Sequence, residues 1–456
     1  MAAPLHDLLT FDRDISRAHD ALLRWRAALA RDPEKNADND PFAPFRHTAG
    51  QKAYDALREQ SIDEPLKSAL LAWVHTLTDA RVVADLDVEW AREGHAAAAR
   101  LGVGTPRMVS YVDAWRGVVT SIPRPEALAW LDAAAARGGE MSSIARQRSE
   151  RRMEVARRLD LTHPSADQLA VPAASLEATA ENILRETDDM WRALDREARA
   201  KAGLAALPPS PVDAVSIAVA REAPEGWPAQ LTARWLAELF APAARGLRID
   251  LPLLPPAVGA SSFARALGAF GYALRVAGRS RSMPFVLACA PSFVDAHRYA
   301  LAFAHLAWSP TFQRRALGVS SRVANAQART LAQSALFDAR ISAARYLLGD
   351  PARPPAADRF EEITFRAFGS PLPPDLRGAW PPPRDDEPAR FLARATALAF
   401  ERDLVERFDV DWFMNPHATD FLRGRASGPA WEDPAPPLDP KASARALGQA
   451  FESVLA

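Results

Sequence analysis

Apolar positions recur at intervals of three and four residues through most of the chain, the pattern of helices that bury one face. Leu8, Leu9, Phe11, Ile15, Leu22, Leu23 and Trp25 predict an opening helix, which the Pro-, Asn- and Asp-rich stretch 32–45 ends. The period returns from Glu64 to Leu101, with Leu70, Leu71, Val74, Leu77, Val82 and Leu86 on the apolar side, until GVGTP (102–106) breaks it. Residues 108–160 supply two or three further helices. The clearest stripe lies in 175–204, where Leu176, Ala180, Ile183, Leu184, Thr187, Trp191 and Leu194 share a face. PPSP (208–211) then marks a boundary between an N-terminal helical lobe, 1–207, and a C-terminal lobe, 208–456. A helix over 228–240 precedes LRIDLPLLPP (247–256), whose alternating Leu247, Ile249 and Leu251 predict a short edge strand.

One stretch departs from amphipathic spacing. SSFARALGAFGYALRVAG (261–278) is apolar nearly all round, with no charge between Arg265 and Arg275. Such a helix belongs inside a large core. Helical patterns follow over 291–310, 320–348, 358–369, 386–408, 416–424 and 440–455, with prolines punctuating 351–384. The expected fold class is all-α with minor β.

Composition narrows the function classes. At 456 residues, 48% of them apolar, the chain can build a substantial core. A formal net charge of −1 gives no global attraction to nucleic acid or an anionic membrane. The helix pattern over 142–159 carries Arg146, Arg148, Arg151, Arg152, Arg157 and Arg158, with Glu150 and Glu154 interleaved; it reads as a solvated face before a nucleic-acid surface. The single cysteine, Cys289 in the apolar run FVLACA, excludes an intrachain disulfide and a cysteine-based zinc site and reads as a buried thiol. Asp7, Asp12 and Asp14 interrupt any signal-peptide pattern, and no run approaches the roughly 20 apolar residues that span a bilayer. A cytoplasmic location is the expectation.

The candidate chemistry centres on Arg-Ala-Leu-Gly-Ala (265–269). It has the shape of the zinc-peptidase helix motif His-Glu-Leu-Gly-His, in which two His one turn apart hold zinc and the Glu polarises the metal-bound water. Here Arg265 and Ala269 stand at the ligand positions and Ala266 at the position of the base. Residues 265, 269, 272 and 276 share a helix face, so Arg265 and Tyr272 are expected to point one way. His297 and His305 lie about 12 Å apart along one helix, too far to share a metal, and read as hydrogen-bonded core or cleft histidines. Ser261 and Ser262 read as helix caps, and the acidic pairs Asp188–Asp189, Asp385–Asp386 and Asp409–Asp411 as solvated. No nucleophile elbow or phosphate loop is present.

Three separated blocks resemble one family. RALGA (265–269), VDAHRYALAFAHLAWSP (294–310) and LVERFDVDWFMNPHATDFLRGRASG (404–428) are similar to segments of the thimet oligopeptidase and oligoendopeptidase F group of zinc peptidases. WAREGHAAAARLG (90–102) resembles their N-terminal lobe more loosely. The resemblance implies a bilobed helical body with an internal cleft. It also places the zinc ligands on Arg265, Ala269 and His297 and the catalytic Glu on Ala266. It calls for a late Tyr on the oxyanion, but the tyrosines are Tyr54, Tyr111, Tyr272, Tyr299 and Tyr346, none in the closing segment. The function that follows is a pseudopeptidase without metal or other cofactor that binds a peptide or protein partner, an active relative being one candidate. Arg265, Ala266, Ala269, Tyr272, His297 and His305 would line its cleft. The alternative is an enzyme of metal-independent chemistry around Arg265, Tyr272 and His297. Trp412 and Trp431 are candidate anchors on the outer surface.

Overall fold

The computed structural model describes residues 7–102, 107–161, 169, 171–220, 225–228, 232–249, 251, 259–349, 355–430 and 438–455. Asp7 opens the first helix by accepting the backbone N–H groups of Leu9 and Thr10. That helix, α1 (Leu8–Leu29), buries Phe11, Ile15, Ala18, Leu22, Trp25 and Leu29 and leaves Leu9 and Leu23 exposed. Short α2 (Pro33–Asn36) occupies part of the expected loop, and α3 (Gln51–Glu59) follows. The helical period of 64–101 splits into α4 (Glu64–Val82) and α5 (Ala84–His95).

Beyond α5 lies the sheet found among the described residues. β1 (Ala99–Leu101) pairs antiparallel with β2 (Arg107–Val109), Ala99 opposite Val109. The strand expected at 247–256 falls mostly outside the described residues, and the described 247–249 are not strand. Three alternating apolar residues beside prolines give too few ladder donors to hold an edge.

The chain continues through α6 (Tyr111–Thr120), α7 (Arg124–Ala135), α8 (Gly138–Arg158), α9 (Ala173–Lys201), α10 (Pro211–Val219), α11 (Ala233–Leu239) and α12 (Ala241–Ala244). Next come α13 (Ser261–Ala277), α14 (Phe285–Ala288), α15 (Val294–His305), α16 (Pro310–Leu317), α17 (Ser321–Leu348) and α18 (Ala357–Phe368). The last are α19 (Glu387–Phe408), α20 (Pro416–Ser427) and α21 (Pro440–Leu455). The fold is all-α with one small hairpin, and α9 buries every residue of its predicted stripe. Among the described residues no helix is long and apolar enough to cross a membrane.

Buried side chains form two clusters. The larger runs from the hairpin through α9, α13, α15, α17 and α19 to α21. The smaller joins α1, α3 and α4 to Phe285, Val286 and Cys289. Backbone groups fix that second union: Asp12 accepts the N–H groups of Phe285 and Val286, each at 2.9 Å, and Trp73 Nε1 donates to the Cys289 carbonyl at 2.7 Å. Cys289 is a buried free thiol. Trp412 is not a surface anchor: it is 4% exposed and stands edge-on to Phe303, because its ring covers more apolar area inside than any rim contact would. Trp431 lies outside the described residues.

As its composition requires, α13 is buried on most sides, and it runs antiparallel to α15 in backbone contact. Gly268 faces the Ala300 carbonyl and Ala304, while Gly271 faces the Tyr299 carbonyl and Phe303. One turn on, Arg275 ion-pairs with Asp295 and donates to the Ala426 carbonyl at 3.0 Å. Ser261 and Ser262 do not cap α13. Ala260 holds the cap position without a side-chain bond, and Ser261 Oγ instead accepts from the Arg265 guanidinium at 3.0 Å.

A Cβ at position 271 would stand 2.5 Å from the Tyr299 carbonyl oxygen, against 3.1 Å from the Ala300 oxygen at position 268. Gly271→Ala is therefore expected to destabilise the protein by about 2–3 kcal/mol and Gly268→Ala by about 1 kcal/mol or less. Urea melts of the two variants test that order.

Candidate functional site

The roughly five turns of α13 do not all face core, and the C-terminal ones open onto space. Tyr272 and Val276 line a cavity of about 600 Å³. α1 contributes His19 and Arg26, α4 contributes Trp73 and Asp79, and α8 contributes Arg148 and Arg152. The segment entering α19 adds Arg384, Asp385 and Asp386. A second cavity of about 460 Å³ adjoins it, sharing Leu169, Val276, Arg279, Ser292 and Phe293. Both volumes fall in the range of small-ligand sites.

Phe293 forms the ridge between the two. Its φ of 53° lies in the left-handed region, a strain of order 1–3 kcal/mol for a non-glycine residue. The ring is held by stacking on His19 at 5.4 Å and Tyr272 at 6.2 Å, with Trp73 edge-on at 6.2 Å. His19 is enclosed by these rings. Burial, then the charges of Arg279 and Arg26, push its pKa down to about 4.

The acidic pair at the start of α19 is not solvated. Asp385 accepts two hydrogen bonds from Arg148, at 2.7 and 2.9 Å, and further ion pairs from Arg26 at 3.0 Å and Arg152 at 3.1 Å. Burial opposes its ionisation, yet Arg148, Arg152 and Arg26 hold its carboxyl well below the usual carboxylate range. Asp87 shares Arg148 and Arg26, and Asp79 takes Arg152 at 3.1 Å. Two arginines of the expected solvated face on α8 are thus turned inward, because three carboxylates converge beneath them. Arg157 and Arg158 remain on the surface, paired with Glu154. Asp188 is likewise tied, to Arg340 at 2.6 Å and Arg366 at 3.1 Å, leaving Asp189 as the solvated member of its pair.

Asp386 faces the cavity. Burial works to raise its pKa, but the nearby His297 imidazole and the charge of Arg390 bring it down to about 2. Arg390 Nε lies 2.7 Å away, while His297 Nε2 lies at 3.4 Å, long for a hydrogen bond. Burial lowers the His297 pKa, so its neutral imidazole is the form at pH 7. Tyr272 stands 5.2 Å from the His297 ring, and burial raises its phenol. The structure thus brings Tyr272 and His297 together, joined to Asp386.

It does not bring Arg265 to them. Arg265 is exposed and sits two turns before Tyr272, about 10 Å along the helix. Its charge acts instead on Asp338 of α17, whose carboxyl burial raises and Arg394 and Arg265 lower. Ala266 is buried and Ala269 half-buried. His305 is buried two turns beyond His297, edge-on to Trp308 at 5.2 Å and beside Glu401 of α19. A zinc ion does not fit this helix. Arg265 is a fixed cation, Ala266 and Ala269 have no donor, and His297 is level with Tyr272 rather than with 265–269. Among the described residues no three His, Cys, Asp or Glu side chains are grouped to hold a metal ion.

His19, Phe293, Arg384 and the Asp385 cluster escape sequence reasoning. The visible signals were the Asp385–Asp386 pair before a helix and the inward-spaced Arg148 and Arg152, with nothing to link them.

No protein-family model matches the chain, and no curated protein matches it in sequence. In structure it is similar to a crystal structure of a "putative peptidase" from Chlamydophila abortus, with a TM-score of 0.50 and 10% identity. The match covers 94% of this chain and 81% of that one, and at this identity it speaks to fold alone.

Two outcomes follow from the buried charges. Asp385→Ala leaves Arg148 and Arg152 short of a partner and is expected to cost roughly 3 kcal/mol in chemical denaturation. Unfolded His19 takes up its proton near pH 6.5 and the folded residue near 4, so stability is complete above 6.5 and is lost as pH falls through 4. The wild type should lose roughly 2–3 kcal/mol relative to His19→Phe across that window, as measured by melts at pH 7 and pH 4.

Proposed function

We propose that the chain is a non-catalytic relative of zinc oligopeptidases, of the thimet oligopeptidase and oligoendopeptidase F kind, and that it binds a peptide or protein partner in its internal cavity. One observation carries the reading. Gly268, at the glycine position of the motif that RALGA resembles, lies where α13 packs closely on α15, while Arg265, Ala266 and Ala269 offer neither ligands nor a base. The fold likeness to a protein described as a peptidase supports the scaffold half of this reading. The two adjoining cavities supply room for an extended ligand. An intact oligopeptidase is one candidate protein partner.

A second reading rests on Tyr272, His297 and Asp386. A neutral imidazole beside a phenol and a carboxylate could move a proton without a metal. Arg265, two turns away, has no part in it.

The purified protein, supplied with zinc, is expected to cleave no peptide. Arg265→His, Ala266→Glu and Ala269→His together are expected to leave turnover at background, since His297 and the absent late tyrosine are unchanged. Bound peptides should appear by mass spectrometry after denaturation of the native protein. About one zinc per chain with chelator-sensitive hydrolysis would refute the non-catalytic role; metal-independent turnover lost in His297→Ala would establish the second reading.

A further inference from the structure

The charges around the larger cavity do not balance. Six arginines line it against five aspartates. Asp385, Asp87 and Asp79 are taken by Arg26, Arg148 and Arg152, and Asp386 is taken by Arg390. Asp20 is largely open to solvent. Arg279 and Arg384 are left over, and among the described residues neither forms an ion pair. Arg279 lies over the Phe285 ring at 5.3 Å. Arg384 has Arg345 and Arg390 as neighbours, and the acids nearest to it are engaged elsewhere: Glu387 with Arg345 at 2.8 Å, Asp386 with Arg390. Arg384 is solvent-exposed within an enclosing wall, so its charge is available to a ligand. A guanidinium fork facing such a space suits a planar carboxylate. The same cavity is lined by the packed rings of His19, Tyr272 and Phe293.

Resting on the peptide-binding reading above, we infer that this cavity recognises a carboxylate joined to an apolar group, presented by the C-terminal residue of a peptide. Arg384 is the counter-charge, and the ring wall of His19, Tyr272 and Phe293 receives the terminal side chain. A C-terminal residue carries its carboxylate and its side chain on one carbon, which matches a guanidinium and a ring wall lining one small space. The preceding residues have room beyond the Phe293 ridge, in the 460 Å³ cavity that shares Val276 and Arg279. An internal Asp or Glu would place chain on both sides of the charge and gives the ring wall no side chain of its own.

The test compares a tetrapeptide ending in phenylalanine with its C-terminal amide and its N-acetylated form, by calorimetry on the full chain. The free acid is expected to bind at least tenfold tighter than the amide, and N-acetylation to change affinity by less than twofold. Arg384→Gln should reduce the acid to the affinity of the amide while leaving the amide unaffected, with an unchanged melting temperature showing that the variant is folded. Equal binding of acid and amide, or an acid preference that survives Arg384→Gln, overturns the inference and leaves peptide binding standing. Phenylpropionate is the separate arm for a small-molecule source. If it binds through Arg384 and no peptide does, the C-terminal assignment and the peptide-binding reading both fall. If none of the probes binds, both fall as well.

Discussion

The body depends on one carboxylate. Asp385 sits where the chain enters α19, and it is gripped by Arg26 from α1 and by Arg148 and Arg152 from α8. Asp87 of α5 stands on the far side of the same guanidinium groups. Four helices distant in sequence therefore meet at a cluster whose charges are mostly withdrawn from water. Such a cluster adds little net stability over an apolar one, but any arrangement that separates its members leaves charges without partners. Its contribution is to exclude alternatives: α19 has one place to start, and the wall of the cavity follows from it.

The other constraint is a distance. Gly268 and Gly271 let α13 meet α15 at backbone contact, which puts Tyr272 level with His297 and Arg275 level with Asp295. This spacing was partly legible, since a glycine in an otherwise apolar helix signals close approach. The helices were legible for the same kind of reason. Periodicity records which face each one buries, and in α9 every predicted stripe residue is inside. The absence of zinc donors in RALGA was equally plain, because it requires only residue identity.

What was not legible depends on contacts across the chain. Asp385 and Arg26 are 359 positions apart, and a pair of aspartates in a proline-rich stretch reads locally as a solvated loop. Arg148 and Arg152 are one turn apart on a helix that also carries exposed arginines, and spacing alone does not say which ones turn inward. The left-handed backbone at Phe293 has no compositional signal, since such positions favour glycine or asparagine. Tyr272 and His297 were singled out together with Arg265, and helical geometry separates Arg265 from the other two: seven residues along α13 is two turns, which leaves Arg265 exposed near Asp338 while Tyr272 lines the cavity.

The segment that carries Phe285 and Val286 is anchored by a side chain of the first helix, through Asp12. That same helix supplies His19 and Arg26 to the cavity wall. α1 is therefore a clasp, and its two holds are mechanically linked. If it lifts, the backbone of 285–286 loses its acceptor, Phe293 loses one of the two rings it stacks on, and Asp385 loses one of its guanidinium groups. Fraying of the opening helix would therefore loosen the cavity wall and the 285–286 anchor in one event, so that the order of this wall is set by the stability of the N-terminal helix.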